Sequence, residues 1–468
     1  YGGAFILPIL AGEGTFFDGL IYAVLSNNYA EGLGTLWNPH FSTTIHPTWH
    51  EHPPAGLWLM SLFYRALGDG PLVEHVYSLF TAVVSGGLLV LVWRELVRRE
   101  PELRSLGWLP LLFWLMNPQV TWSYSNAMLE NTMTIFVLAA FWLLLKGLEA
   151  GARFWAWSLA AGVAVVAAVL TKGPVGFFPL VSVGLARLVW GRTTWSRVVV
   201  MSALMTAVVA LAGWLLWAWP EAHQGLGKYV NTQLLLSLKG SRGGSPDWPG
   251  FLEDILNTHL PALGVTVILL GVGWRRRMLG LIRRENRRLA LFLILLGCAG
   301  SLPVGLSPRH SLFYLLPSFP FYALGLAALV APVAAALIRE MRPAGRIHRI
   351  LQVLTVVLLA AVLVVSATRI GGYSRDEQQI RDLKVMRDYL VELGGENGAR
   401  GVVIGSCADM RRHFTLMTQF ARYGGMAFTN KAEGFRYLVA LETCEEPDLD
   451  QFTRVAPGTK QYHLYERR

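Results

Sequence analysis

The chain reads as an all-α polytopic membrane bundle of about eleven transmembrane helices, with a small C-terminal α/β domain outside the membrane. Hydrophobic residues fill 53% of 468 positions and charged residues only 15%, a balance no soluble domain sustains because it lacks the interior to hide that surface. Apolar runs of spanning length recur along the chain. After Arg369 the composition turns polar and the pattern becomes one of short helices and strands.

The first apolar stretch, Ala4 to Ala11, is too short to cross a bilayer, so a first span is expected to begin upstream of Tyr1. It lacks the basic flank and small-residue cleavage site of a signal peptide. Further runs lie near 72–93, 107–122, 128–147, 154–171, 173–191, 197–219, 257–274, 288–306, 311–338 and 347–368. Arg94, Arg98, Arg99 and Arg104 fall in one connection, and Lys146 with Arg153, Arg192 with Arg197, Arg275 to Arg288, and Arg339 to Arg349 in alternate connections thereafter. Positive-inside bias makes these the cytoplasmic loops and accounts for the net charge of +10 without a nucleic-acid partner.

The complementary loops then face outward: 12–71, 123–127, the turn Thr171-Lys172-Gly173-Pro174, 220–256, 307–310 and the C-terminal tail. The expected division is a transmembrane domain over 1–370 and an extracytoplasmic domain over 371–468. In the first outer loop, Phe16 to Tyr29 reads as a short helix along the membrane interface. A second interfacial helix follows Pro53-Pro54, with Trp58 and Tyr64 at headgroup depth and Gly68-Asp69-Gly70 as its stop. The large outer loop, 220–256, is Gly/Ser-rich and basic with Lys239 and Arg242, and reads as a mobile segment.

In the tail, SRDEQQIRDLKVMRDYLVEL reads as a helix, RGVVIGS as a strand, ADMRRHFTLMTQFARYGG as a helix and RYLVALE as a strand. Arg411, Arg412 and Arg422 fit a solvated helix face. Of the three cysteines, Cys298 lies in an apolar run; a bridge between Cys407 and Cys444 requires an oxidising compartment and suitable geometry, and the sequence leaves it open.

The densest chemistry falls in the first outer loop. Asp18, in FFDGLIYA, suits proton acceptance from a hydroxyl beside a membrane edge, and equally suits capping of the helix that follows. The residues alone favour the cap. His46, His50 and Glu51, in HPTWHEHPP, are ligand types for a divalent cation, though their spacing matches no closed zinc motif and solvated histidines beside prolines look the same. Glu130 opens an apolar helix, where a carboxylate also stabilises the N-terminus. Lys172 and Arg309 sit in outward turns beside prolines, placed either to snorkel to lipid phosphates or to hold the phosphate of one substrate.

Taken in order, DGLIYA, HEHPPAGLW, MLENTMTIF, TKGPVGFFPLV and SPRHSLFYLLPSFP resemble the landmarks of the bacterial lipid-A aminoarabinose transferase and protein O-mannosyltransferase family, in the glycosyltransferase C superfamily. The resemblance covers most of 12–325. It implies a bacterial inner-membrane enzyme, with its active site and C-terminal domain on the periplasmic side, that takes a sugar from a polyprenyl-phosphate donor and passes it to an acceptor with inversion.

It also implies roles. Asp18 acts as or near the general base, Lys172 and Arg309 bind the donor phosphate, Glu130 falls at a second acidic position, and Glu51 matches an acid that binds metal in some members; the expected donor or acceptor site is Glu130, Tyr22 and His52, and the expected metal set joins His50 and His46 to Glu51. The chain departs from the pattern in having Gly19 where members often carry a second acid and His52 where they carry lysine. No histidine occurs around Ser241 to Trp248, and neither His223 nor His259 fits that place. The expected acceptor is a glycolipid or cell-envelope glycan; a protein acceptor, or transport of a lipid-linked sugar without cleavage, are the alternatives. The transporter needs a pathway open to both faces, which the few charges within the spans disfavour.

Overall fold

The structure, a computed structural model, describes residues 2–239, 247–307, 311–340, 345–394, 402–407, 414–429, 431, 434–441 and 449–468. Arg242, Arg309, Arg411, Arg412 and Cys444 lie outside the described residues. In chain order the elements are α1 (Gly2–Leu10), α2 (Phe17–Ala30), β1 (Gly34–Thr35), β2 (Asn38–Pro39), α3 (Ala55–Leu67), α4 (Val73–Leu96), α5 (Pro101–Arg104), α6 (Trp108–Leu115) and α7 (Pro118–Tyr124). There follow α8 (Leu129–Glu149), α9 (Phe154–Lys172), α10 (Ser182–Leu185), α11 (Trp195–Ala218), α12 (Pro220–Tyr229), α13 (Leu235–Leu238), α14 (Trp248–Arg275), α15 (Arg284–Ser301), α16 (Phe319–Glu340) and α17 (Arg346–Arg369). The C-terminal part holds α18 (Glu377–Gly394), β3 (Val403–Ser406), α19 (Phe414–Gln419), β4 (Ala427–Phe428), β5 (Tyr437–Ala440), β6 (Phe452–Val455) and β7 (His463–Arg467).

Among the described residues, eight helices are long and apolar enough to cross a membrane: Val73–Leu96, Leu129–Glu149, Phe154–Lys172, Trp195–Ala218, Trp248–Arg275, Arg284–Leu306, Leu312–Glu340 and Gln352–Arg369. The expected count of about eleven is not reached among the described residues, for local reasons. The run 107–122 breaks at Asn117-Pro118, because Pro118 cannot continue the helical ladder and the Asn117 side chain caps a new helix, accepting from the Gln119 and Val120 N–H groups at 2.9 and 3.4 Å. The run 173–191 is a composite of a 3-10 turn (Pro174–Val181), α10 and a π turn (Ala186–Trp190). α1 covers nine residues.

The chain groups into two compact units, one of Tyr1–Pro8, Glu51–Gly56 and Ser78–Ser366, the other of Ile9–His50, Leu57–Tyr77 and Ala367–Arg468. In the first, the span ending in α16 is 72% buried and packs against α6, α14 and α15, whereas the span in α17 has no buried residue. Small residues let helices close: a Cβ on Gly162 would stand 2.9 Å from Val208, bringing α9 onto α11. The basic connections also meet one another. Arg98 and Arg99 reach Glu149 at 3.4 and 3.1 Å, Lys146 reaches Glu95 at 2.6 Å and Arg339 reaches Glu102 at 2.8 Å, so these loops share one end of the unit.

The segment 220–256, expected to be a mobile loop, is largely helical where it is described, which corrects that reading. Pro220 stands in the first turn of α12 with Glu221 beside it, and Asp247 caps α14 by accepting from Gly250 N–H at 3.1 Å.

The second unit contains a five-stranded sheet ordered β4-β3-β5-β7-β6. β3 runs parallel to β4 and β5, and β7 antiparallel to β5 and β6. β5 is buried along its whole length, as a central strand covered on both faces requires. Cys407, just after β3, is disulfide-bonded. α2 forms where the interfacial helix was expected, but Leu20 to Leu25 are all buried, so it is a core helix without a free face. α3 keeps Trp58 and Leu62 exposed, while Tyr64 turns inward and donates to Glu74 Oε2 at 2.8 Å. Arg422, read as solvated, is buried instead: it donates to Glu74 Oε2 at 2.9 Å, Asp69 Oδ1 at 2.7 Å and the Gly70 carbonyl at 2.6 Å.

Candidate active site

The TKGP turn organises the site in the first unit. α9 stops at Lys172 because Gly173 adopts φ 104° and ψ −153°, a conformation open in practice to glycine alone, and Pro174 then starts the 3-10 turn. A side chain on Gly173 would collide with the Tyr229 hydroxyl, and one on Gly56 would come within 2.9 Å of Thr171. The turn is thereby packed between α12 and the start of α3.

Lys172, in the last turn of α9, meets Glu130, in the first turn of the antiparallel α8, with Nζ 2.6 Å from Oε1. Both side chains are almost wholly buried, at 7% and 2% exposure. Each charge lies at the helix end whose dipole favours it, an acid at an N-terminus and a base at a C-terminus. The ammonium also lies 5.5 Å from the ring centres of Phe313 and Tyr314. Closed pairing of this kind lowers the cost of burying either charge.

The pair opens onto a cavity of about 730 Å³ that is also lined by Glu51, His52, Tyr229, Gln233, Ser307 and Tyr314. Glu51 Oε1 accepts from Gln233 Nε2 at 3.4 Å. Burial and, secondarily, the neighbouring Tyr314 push the Tyr229 phenol up to about 12, leaving it a protonated donor. Apart from Ser237 the remaining wall is apolar, chiefly Pro174, Val175, Phe177, Phe178, Leu180 and Val181 from the 3-10 turn, with Ala299, Gly300, Pro303 and Val304 from the end of α15 and the turn that follows it. A polar head beside an apolar trough suits an amphiphilic anion.

Of the residues singled out in the sequence, Glu51, His52, Glu130 and Lys172 come together in this cavity. Arg309 lies outside the described residues, between the cavity residue Ser307 and the Phe313 and Tyr314 rings in sequence. Asp18, Tyr22, His46 and His50 belong to the second unit. Asp18 is not the cap of α2; that position is Phe16, and Asp18 stands in the first helical turn, half-buried. Tyr22 is buried on the same helix. His46 packs edge-on against Trp49, with ring centres 5.1 Å apart.

Among the described residues no three His, Cys, Asp or Glu side chains form a group fit to hold a metal ion, so the expected set of His46, His50 and Glu51 is not supported as a ligand group and no step below is routed through a metal. Sequence reasoning missed Tyr229 and Gln233. Their spacing of four within a helical run was the available signal, hidden because the segment read as loop.

Residues 51–217 match the family described as dolichyl-phosphate-mannose-protein mannosyltransferase. None of the curated proteins matches the sequence. Among solved structures, ArnT from Cupriavidus metallidurans bound to undecaprenyl phosphate aligns at a TM-score of 0.67 and 15% identity over 99% of this chain and 95% of its own. The same protein in the apo state aligns at 0.63 and 15% identity with the same coverage. The chain thus shares the fold of ArnT, carries eight helices long and apolar enough to cross a membrane among its described residues, and matches the mannosyltransferase family model over residues 51–217.

Proposed function

We propose that the chain is a membrane glycosyltransferase that moves a sugar from a polyprenyl-phosphate donor to an acceptor hydroxyl or phosphate on the outer face of a bacterial cytoplasmic membrane, with a glycolipid or cell-envelope glycan as acceptor. The observation that carries this reading is the cavity in which the Lys172–Glu130 pair faces an apolar wall. A lipid phosphate has that same two-sided chemistry. The ArnT structure of like fold holds undecaprenyl phosphate, and the disulfide at Cys407 fits an oxidising compartment outside the cytoplasm.

In the reaction the acceptor oxygen attacks the anomeric carbon, the bond from that carbon to the phosphate oxygen breaks with inversion, and the negative charge stays on the polyprenyl phosphate. Lys172, with Arg309, stabilises that charge as it develops, and a cation placed there helps the transition state more than the ground state. Glu130 holds the ammonium in position. The protonated Tyr229 phenol adds a neutral donor. Asp18 accepts the proton of the acceptor hydroxyl, with Tyr22, His52 and Glu51 shaping the places of sugar and acceptor.

The test is transfer of labelled sugar by the purified protein from a panel of polyprenyl-phosphate donors into membrane extracts, with Asp18→Asn in parallel. The expected result is transfer by the parent and a loss of roughly 10²–10⁴-fold in the folded variant. Movement of intact lipid-linked sugar across proteoliposomes, without transfer, would contradict the proposal.

A further inference from the structure

We infer that the C-terminal segment is the positioning platform for Asp18, acting through a clamp on Gly12-Glu13-Gly14 in which Lys384 holds Glu13. The inference rests on the reading of Asp18 as the base, and all its contacts lie within the second unit.

The five residues before α2 have no regular structure of their own beyond one bridge. They are fixed by residues 372–375, which follow the last span. Glu13 pairs with Tyr373 as an isolated parallel bridge, its N–H donating to the Gly372 carbonyl at 2.9 Å and its carbonyl accepting from Ser374 N–H at 2.7 Å. The flanking glycines are needed for that approach. A Cβ on Gly12 would stand 3.0 Å from Ser374 N, and Gly14 adopts φ 95° directly against the Arg375 carbonyl.

Side chains complete the clamp. Lys384, on α18, donates to both Glu13 oxygens at 2.8 and 2.6 Å, and its ammonium lies 5.3 Å from the Tyr373 ring centre. Arg375 lies 5.6 Å from the ring centre of Phe16, the residue at the cap position just before α2. Leu20 of α2 then joins Ile380 and Tyr423 in one buried cluster. Asp18 therefore sits between two points, Phe16 and Leu20, that the C-terminal segment holds. The adjoining Arg422, locked by Glu74 and Asp69, fixes Tyr423 in turn.

Lys384 touches no reacting group in this account and is a positioning residue. Its side chain is 27% exposed, so its replacement empties no core, but it leaves Glu13, 8% exposed, without its cation; Lys384→Arg and the charge exchange keep that pairing and separate its cost from the clamp. The experiment uses the full-length protein as Lys384→Met, Lys384→Arg, and the charge exchange Glu13→Lys with Lys384→Glu. It reads amide hydrogen exchange over 12–30 together with kcat and donor KM.

Lys384→Met is expected to lose about tenfold or more of the protection at the start of α2. Its kcat should fall roughly ten- to hundredfold, the scale of a small misplacement, with donor KM within about twofold. Lys384→Arg and the charge exchange should restore most of both. Unchanged protection, or lost protection with unchanged kcat, would overturn the inference, as would a fall in kcat that neither rescue variant recovers. If the parent transfers no sugar, the transferase reading fails separately; lost protection then retains the clamp alone, and unchanged protection overturns that too.

Discussion

The two units each contain a deeply buried pair of basic and acidic side chains, and the pairs differ in what surrounds them. Arg422 and Glu74 are 2% and 1% exposed, and the guanidinium is spent on four oxygens: both of Glu74, one of Asp69 and the Gly70 carbonyl. Tyr64 donates to the same carboxylate. Lys172 and Glu130 are nearly as buried, yet they line a cavity with Tyr229, Glu51 and His52. Burial alone does not mark a functional charge. An opening onto a cavity separates the two, and on the proposed function one pair holds the fold while the other serves the chemistry.

The sharpest break in that comparison comes from replacing each pair. Lys172→Met combined with Glu130→Gln removes the charge without leaving a lone buried carboxylate. Transfer should fall roughly 10²–10³-fold while the thermal midpoint stays near the parent's. A large loss of stability with retained turnover would exchange the roles of the two pairs. Arg422→Met leaves Glu74 buried without its cation, and should cost about 3–5 kcal/mol, seen as a lowered midpoint in thermal unfolding. An unshifted midpoint would mean that the pair holds nothing together.

The smallest effect is expected from Tyr229→Phe, which removes one neutral donor worth about 0.5–1.5 kcal/mol. Because the phenol is pushed up to about 12, it keeps its proton throughout an ordinary assay range. The variant should therefore lower transfer by one factor of several-fold at every pH tested, measured as a kcat/KM profile. A defect confined to alkaline pH would show that Tyr229 titrates there.

Much of this was legible in the chain. The TKGP turn announces itself through Gly173 and Pro174, and charge alternation in the sequence places Glu130 and Lys172 on one side. Their pairing was not legible, since it depends on how α8 and α9 align. Arg422 was misread because its partner Glu74 lies 348 residues upstream, and no local pattern distinguishes a solvated helix face from one that meets such a neighbour. α2 reads as interfacial in the sequence for the same reason: its cover, Ile380 and Tyr423, arrives only at the end of the chain. The helices in 220–256 were masked by Gly and Ser around 240–245, although Pro220 and Asp247 carried the start signals. Runs 107–122 and 173–191 read as whole spans because hydropathy does not register a break at Asn117-Pro118 or a change of helix type after Gly173.

The central claim is that the cavity beside Lys172 holds a lipid phosphate, and photo-crosslinking with a photoreactive polyprenyl phosphate tests it most directly. The account predicts labelling of residues within 174–181 and 299–304, competed away by unlabelled polyprenyl phosphate and lost in the Lys172→Met, Glu130→Gln double variant. Labelling confined to exposed apolar surfaces such as α17, equal in parent and variant, would contradict it.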